Sequence, residues 1–220
     1  MESIASIQQP EPLFKTSYSV ALRWWHWLTF LCISGSIITA LLNEALFDTR
    51  DNTPMVQQQV QSKGGVVTDV QARAVAHEYS EKLWELHTFL GYAISFLLLF
   101  RLIIEFSASK EEKLGRKLKR ALAFQGATPK EKYDRKHYIW VKWGYVVFYG
   151  LILLMALTGL GLAFGNVAAF RSIRPELKEI HELLQYAIYL YILAHLVGVF
   201  RAEVTDNRGI VSSMINGGPQ

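Results

Sequence analysis

Residues 180–201, IHELLQYAIYLYILAHLVGVFR, place His181 and His195 in an apolar run that is long enough to cross a membrane. Fourteen residues separate the two histidines. At about 100° and ~1.5 Å per residue, both rings lie on one helix face, ~21 Å apart along the axis. A histidine inside a membrane span is costly and by default marks a functional site. The run therefore predicts a transmembrane helix with two ligand residues at different depths.

Uncharged runs indicate three further spans. Residues 24–43, 86–100, 143–170 and 183–200 contain no charged side chain, and the second run continues past Arg101 through 102–104. These lengths are near or above the ~20 apolar residues that cross a bilayer. The helices of a large soluble bundle would show polar faces, which these runs lack. The sequence therefore predicts an all-α, integral membrane four-helix bundle. We expect a single transmembrane domain over residues 1–220, with spans at about 22–43, 83–106, 139–165 and 178–202.

The loops predict the orientation. The loop at 44–82 has four Lys or Arg residues and the loop at 107–138 has ten, so the positive-inside rule places the second loop and both termini in the cytoplasm. The N-terminus does not read as a secretory signal, because about twenty polar residues precede the first apolar run. We therefore expect a multi-pass protein of the inner (cytoplasmic) membrane. Topology and anionic lipid explain the basic loop better than nucleic acid, for which no motif is present.

Three local signals concern the ends of the helices. Ser19 is suited to cap the first span, and Thr68 and Asp69 begin an amphipathic helix that continues into the second. Between these spans we expect a long loop with a Gln-rich middle, broken at 64–65. Pro175 suits the first turn of the fourth helix.

The orientation gives each span histidine a depth. His26 follows Arg23 near the cytoplasmic face, and His87 follows Glu85 near the outer face. The fourth helix places His181 outside and His195 inside. The histidines therefore pair as His26 with His195 in an inner layer, and as His87 with His181 in an outer layer. The remaining histidines, His77 and His137, fall in loop or boundary segments, where we expect solvated surface residues.

Two imidazoles at each depth favour haem over other centres. Zinc usually takes four protein ligands, and no Cys, Asp or Glu accompanies either pair. A proton relay would favour carboxylates at mid-membrane. A haem iron needs only two axial ligands. No Cys-x-x-Cys-His motif occurs, so we predict two non-covalent b-type haems with the four histidines as axial iron ligands. Gly35, Gly91 and Gly198 either admit the porphyrin faces or serve ordinary helix packing.

Several motifs resemble the di-haem cytochrome b subunits of membrane-bound nickel–iron hydrogenases, to which the cytochrome b subunits of formate dehydrogenases are related. These motifs are RWWHWLT at 23–29, LHTFLGY at 86–92, the two histidines of the fourth span, and the tail residues RAE at 201–203 and IVSSMING at 210–217. The resemblance implies an extracytoplasmic dehydrogenase that passes electrons to the outer haem, with quinone reduced near the inner haem. The chain would then be an electron-transfer subunit of a quinone-reducing respiratory complex, not an enzyme alone.

The sequence leaves alternatives open. A stand-alone cytochrome b that exchanges electrons between quinol and superoxide or another small acceptor would use the same histidines. A cytochrome b serving another dehydrogenase or a c-type cytochrome, and a haem-free membrane anchor, are further alternatives. Arg101, Lys142 and Tyr145 near the cytoplasmic boundary are either quinone contacts or snorkelling anchors.

Overall fold

A computed structural model describes residues 18–107, 113–125, 128–205 and 208–218, which are all-α. Within these ranges there are eight helices and no strand. The helices are α1 (Val20–Leu46), α2 (Thr49–Ser62), α3 (Asp69–Ser107), α4 (Leu114–Ala123), α5 (Pro129–Ala163), α6 (Ala168–Arg171), α7 (Arg174–Val204) and α8 (Ile210–Asn216). The predicted fold class is confirmed.

Four of the helices, α1, α3, α5 and α7, are long and apolar enough to cross a membrane. Large apolar side chains on them are exposed, such as Phe96 at 68%, Leu190 at 69% and Phe200 at 70%. Water would penalise a contiguous apolar surface of this kind, whereas lipid covers it at no cost. The chain is therefore a multi-pass membrane protein with four candidate membrane-spanning helices. The single domain over 1–220 and the side on which the termini lie stay predictions.

The chain divides into two compact units. The terminal unit consists of Met1–Arg23, Ile103–Tyr149 and Tyr191–Gln220, and the central unit consists of Trp24–Leu102 and Gly150–Leu190. The sequence predicts a cytoplasmic tail at 1–20, of which residues 1–17 lie outside the described residues. Each unit has its own polar contacts, and the central unit holds the histidine pair described below.

Buried polar side chains join α1 to α3 in the central unit. Asn43 Nδ2 donates to the Ser80 carbonyl at 2.8 Å, and Ser80 Oγ donates to Asn43 Oδ1 at 2.9 Å. Nearer the start of α1, the Trp25 indole N–H donates to the Leu97 carbonyl at 2.9 Å. Polar pairs of this kind hold helices together where lipid gives no hydrophobic drive between them. They fix the packing of α1 against α3, and with it the surroundings of His87.

The first loop contains a helix that we did not predict. The Gln-rich segment forms α2, because Gln favours helix and Asp48 Oδ1 caps the first turn by accepting from Arg50 N at 2.8 Å and Asp51 N at 3.2 Å. Gly64 follows the helix at φ +78°, a conformation that favours glycine. The expectation of a loop throughout this segment is therefore wrong.

The predicted helix starts are confirmed. Gln71 N donates to Thr68 Oγ1 at 3.3 Å, so Thr68 caps α3, which runs on through the second span. Likewise, Leu22 N donates to Ser19 Oγ at 3.3 Å at the start of α1. Pro175 lies in the first turn of α7. Side-chain caps of this kind depend on a few adjacent residues, which is why the sequence alone reveals them.

The terminal unit holds the C-terminal tail in place. The Glu203 carboxylate accepts from Gly209 N at 2.8 Å and from Val211 N at 3.1 Å, which caps the start of α8. At the other end, Arg23 Nη1 donates to the Ile215 carbonyl at 2.8 Å. Gly217 ends α8 at φ +101°, where a side chain would be strained. Several residues of the tail motif therefore have a structural role.

Candidate functional site

The structure brings together two of the four predicted ligand residues. His87 on α3 and His181 on α7 both belong to the central unit, and their ring centroids lie 6.4 Å apart with the planes at 77°. This is the pair that the sequence placed in the outer layer. His26 belongs to the central unit and His195 to the terminal unit, so their pairing stays a prediction.

Contacts of His87 determine which ring nitrogen carries the proton. His87 Nδ1 lies 3.0 Å from the Ser36 carbonyl oxygen, and 3.3 Å from both Ser36 Oγ and Thr39 Oγ1. A carbonyl only accepts, so Nδ1 carries the hydrogen and donates it. Thr39 Oγ1 donates its own proton to the Ser36 carbonyl at 2.9 Å. The neutral His87 ring therefore keeps its lone pair on Nε2.

Contacts of His181 lead to the same tautomer. His181 Nδ1 lies 2.9 Å from Thr158 Oγ1. That hydroxyl also lies 2.9 Å from the Leu154 carbonyl and 3.1 Å from the Met155 carbonyl, and it can donate its single proton to either one. The Thr158 oxygen then accepts from His181 Nδ1–H. Both rings of the pair thus have Nδ1 occupied by protein and Nε2 available as a ligand atom.

Gly159 lets the His181 ring lie against α5. A Cβ at this position would come within 3.2 Å of His181 Cε1, a tight contact that would require the ring to shift slightly. The glycines singled out from the sequence behave differently. A Cβ at Gly35 would meet Leu90 at 3.1 Å, which is a helix-packing contact, whereas Gly91 and Gly198 have no such neighbour within 4 Å. The sequence analysis missed Gly159, although it follows a threonine in an apolar span.

The pair fits a haem iron better than a bare metal ion. Ligand histidines commonly donate their second ring N–H to a carbonyl or another oxygen, as both rings do here. Among the residues that the structure describes, no group of three or more His, Cys, Asp or Glu side chains could hold a metal ion. Zinc sites need three or four protein ligands, whereas haem iron needs two axial ones. The residues present therefore fit a b-type haem.

The other two span histidines have aromatic neighbours. The His26 ring meets Trp27 edge to face, with centroids 5.3 Å apart. Within the terminal unit, the His195 ring stacks on Tyr191 at 6.3 Å with the planes only 6° apart, and Tyr191 in turn packs on Phe148 at 5.3 Å. Stacking on Tyr191 restricts the orientation of the His195 ring.

The remaining predicted residues take surface or anchoring positions. His77 is exposed, with Nε2 3.6 Å from Glu81 Oε1, which confirms the surface prediction. His137 is half-buried and stacks on Tyr133, so it is less solvated than expected. Lys142 Nζ lies 4.9 Å from the ring centroids of both Tyr138 and Tyr145, which are cation–π contacts. Contacts of this kind suit an anchor, and a quinone role for these residues stays a prediction.

Thr158→Val tests the role of the hydroxyl that holds His181. We expect haem affinity at this site to fall by about 10- to 100-fold, because removing the partner of a ligand histidine typically has that effect. Haem titration into the haem-depleted protein measures the change. Thr53→Val is a matched control, since Thr53 is also buried and also donates to a carbonyl four residues back, that of Thr49. Equal haem affinities of the Thr158→Val and Thr53→Val variants would show that the Thr158 contact does not position the His181 ring.

Comparison with known proteins gives one family. A family model described as "Prokaryotic cytochrome b561" matches residues 17–217. No curated protein and no solved structure matches the chain. The match covers all four membrane helices and all four span histidines.

Proposed function

Because the chain belongs to the prokaryotic cytochrome b561 family, we propose that it passes electrons from an extracytoplasmic, hydrogenase-like dehydrogenase to the quinone pool. The family and the four apolar helices make it a membrane electron-transfer protein that binds b-type haem. The donor, the quinone and the number of haems go beyond this and are part of the proposal. So is its place in the inner membrane of the cell, which rests on the basic residues of the second loop.

The geometry of His87 and His181 carries the proposal. Their imidazoles lie close together on different helices, with each Nδ1 hydrogen-bonded to protein and each Nε2 left as a ligand. When bound, a b-type haem supplies reversible one-electron chemistry at its iron. The protein contributes the two ligands, their orientation and an apolar surround. We assign the outer haem to this pair, and a second, inner haem to His26 and His195.

One helix carries a ligand for each proposed haem. α7 runs without a break from Arg174 to Val204 and contains both His181 and His195. The ~21 Å expected between them along an ideal helix axis spans most of the ~30 Å hydrocarbon core. This spacing supports electron transfer across the bilayer rather than along one face. A dehydrogenase on the outer side and quinone on the inner side would then use opposite ends of the protein.

Purification from haem-replete cells tests the proposal. We expect a pyridine haemochrome assay to give two b-type haems per chain, because four histidines supply two axial pairs. In mild detergent we also expect hydrogenase-like subunits to co-purify, identified by mass spectrometry, and the complex to reduce a quinone analogue with the donor's substrate. One haem per chain would contradict the two-haem assignment. Turnover of quinol with superoxide by the chain alone would favour the stand-alone alternative instead.

A further inference from the structure

A basic cleft lies at the start of α5 in the terminal unit. Its volume is about 560 Å³, and Gln125, Lys132, Arg135, Lys136, Ile139 and Trp140 line it. Five of these residues recur at intervals of three or four along α5, so they share one helix face. We propose that this cleft binds the head group of an anionic phospholipid, with part of an acyl chain against its apolar end.

The cationic side chains of the cleft are not paired with carboxylates within the described part of the chain. Among the described residues, no carboxylate forms an ion pair with Lys132, Arg135 or Lys136. The neighbouring Glu131 accepts from Thr128 N at 3.2 Å as part of the cap of α5. Such an excess of fixed positive charge on one helix face attracts an anion.

Arg135 is held in place but is not fully satisfied. Its Nη1 donates to the Phe124 carbonyl at 2.7 Å, which ties the residues after α4 to α5. Its Nε is buried and has no hydrogen-bond partner in the described part of the chain. A buried N–H without a partner is unfavourable, and more so on a charged group. The Arg135 guanidinium is held at the cleft, and guanidinium groups bind phosphate well through N–H groups that a ligand can reach.

The apolar end of the cleft favours a ligand that has both an anionic and an apolar part. Ile139 and Trp140 lie about one turn beyond Lys136, roughly 4.5 to 6 Å further along the helix axis. Trp140 is 69% exposed and stands at the predicted start of the third span, where tryptophan marks the membrane interface. A free phosphate ion would use only the cations, and an acidic peptide would not need an apolar wall at bilayer depth. A phospholipid uses both, and basic pockets at membrane boundaries bind anionic head groups.

Lipid binding to the haem-loaded protein in detergent tests the proposal. Native mass spectrometry with added phosphatidylglycerol or phosphatidylcholine measures the two dissociation constants. We expect tighter binding of phosphatidylglycerol, weakened about 25-fold by Lys132→Gln with Lys136→Gln and about a hundredfold when Arg135→Gln is added. The double variant spares the contact of Arg135 with Phe124. Arg50→Gln with Lys63→Gln removes the same charge from exposed positions of the central unit and should leave binding unchanged.

Two further measurements distinguish a bound phospholipid from a bound free anion. Inorganic phosphate at millimolar concentration should fail to displace phosphatidylglycerol. Trp140→Ser should weaken lipid binding, and phosphate should still fail to displace the lipid from this variant. Displacement by phosphate would identify a free-anion site and overturn the lipid assignment. Equal binding of both lipids, or an equal loss in the central-unit control, would overturn it too. An unchanged haem spectrum in each variant shows that the fold is intact and that the electron-transfer proposal is not at stake.

Discussion

We expect His87→Ala and His181→Ala each to abolish the same haem and to leave the second proposed haem bound. The two rings lie 6.4 Å apart on α3 and α7, so a haem between them would lose one of its two axial ligands in either variant. Alanine offers no ligand atom, so we expect complete loss of one spectral component. Redox-titrated visible spectra of the purified variants measure this. Electron entry from an external donor should stop, while quinol should still reduce the remaining haem.

Two histidines provide matched controls for this experiment. His77 is exposed and contacts Glu81, and His137 stacks on Tyr133, so neither is expected to bind haem. His77→Ala and His137→Ala should therefore keep both spectral components. If His87→Ala and His181→Ala remove different components, the two rings do not share a haem, and their proximity would be a packing contact only.

The spans were predictable because they depend on local sequence. An uncharged run of bilayer length, with a cap such as Thr68 before it, specifies a membrane helix without reference to the rest of the chain. The Gln-rich segment at 49–62 was misjudged for the opposite reason. It has no apolar periodicity, and it is helical because Asp48 caps it and Gln tolerates the helix. The sequence pattern there resembles that of a loop.

The surroundings of the histidines were less predictable than the histidines themselves. A histidine in an apolar span is conspicuous in the sequence, but Ser36, Thr39 and Thr158 acquire their role only when α1 packs on α3 and α5 packs on α7. Each is a polar residue within an apolar run, and such residues commonly bond across helices. A polar residue in an apolar run can therefore be recognised from the sequence, but the residue that it contacts on another helix cannot.

The tail motif illustrates the limit of family resemblance. Glu203 caps α8, and Arg23 holds its last turn through the Ile215 carbonyl. These contacts explain the tail residues through folding, whatever protein the chain serves. The match to the prokaryotic cytochrome b561 family runs over residues 17–217 and includes the tail. The hydrogenase-like donor is a proposal that rests on the resemblance of the spans and, for hydrogenase in particular, on that of the tail.

His26→Ala and His195→Ala provide the complementary test, because the proposal assigns both residues to the inner haem. Each substitution should remove that haem completely, since the single axial ligand that remains cannot hold it in bis-histidine form. Tyr191→Phe is the control, because it keeps an aromatic ring against His195 and should keep the haem.

The functional consequence should mirror that of the outer pair. In His26→Ala and His195→Ala, a donor should still reduce the outer haem. Quinone turnover should cease, because the inner haem that would pass electrons to quinone is missing. Visible spectra recorded while the donor or quinol reduces each variant distinguish loss of the inner haem from loss of the outer haem. The layering is wrong if His26→Ala and His87→Ala remove one spectral component while His195→Ala removes the other. Agreement would instead establish that α7 supplies one ligand to each haem, from His181 and His195, and that α1 and α3 each complete a different centre.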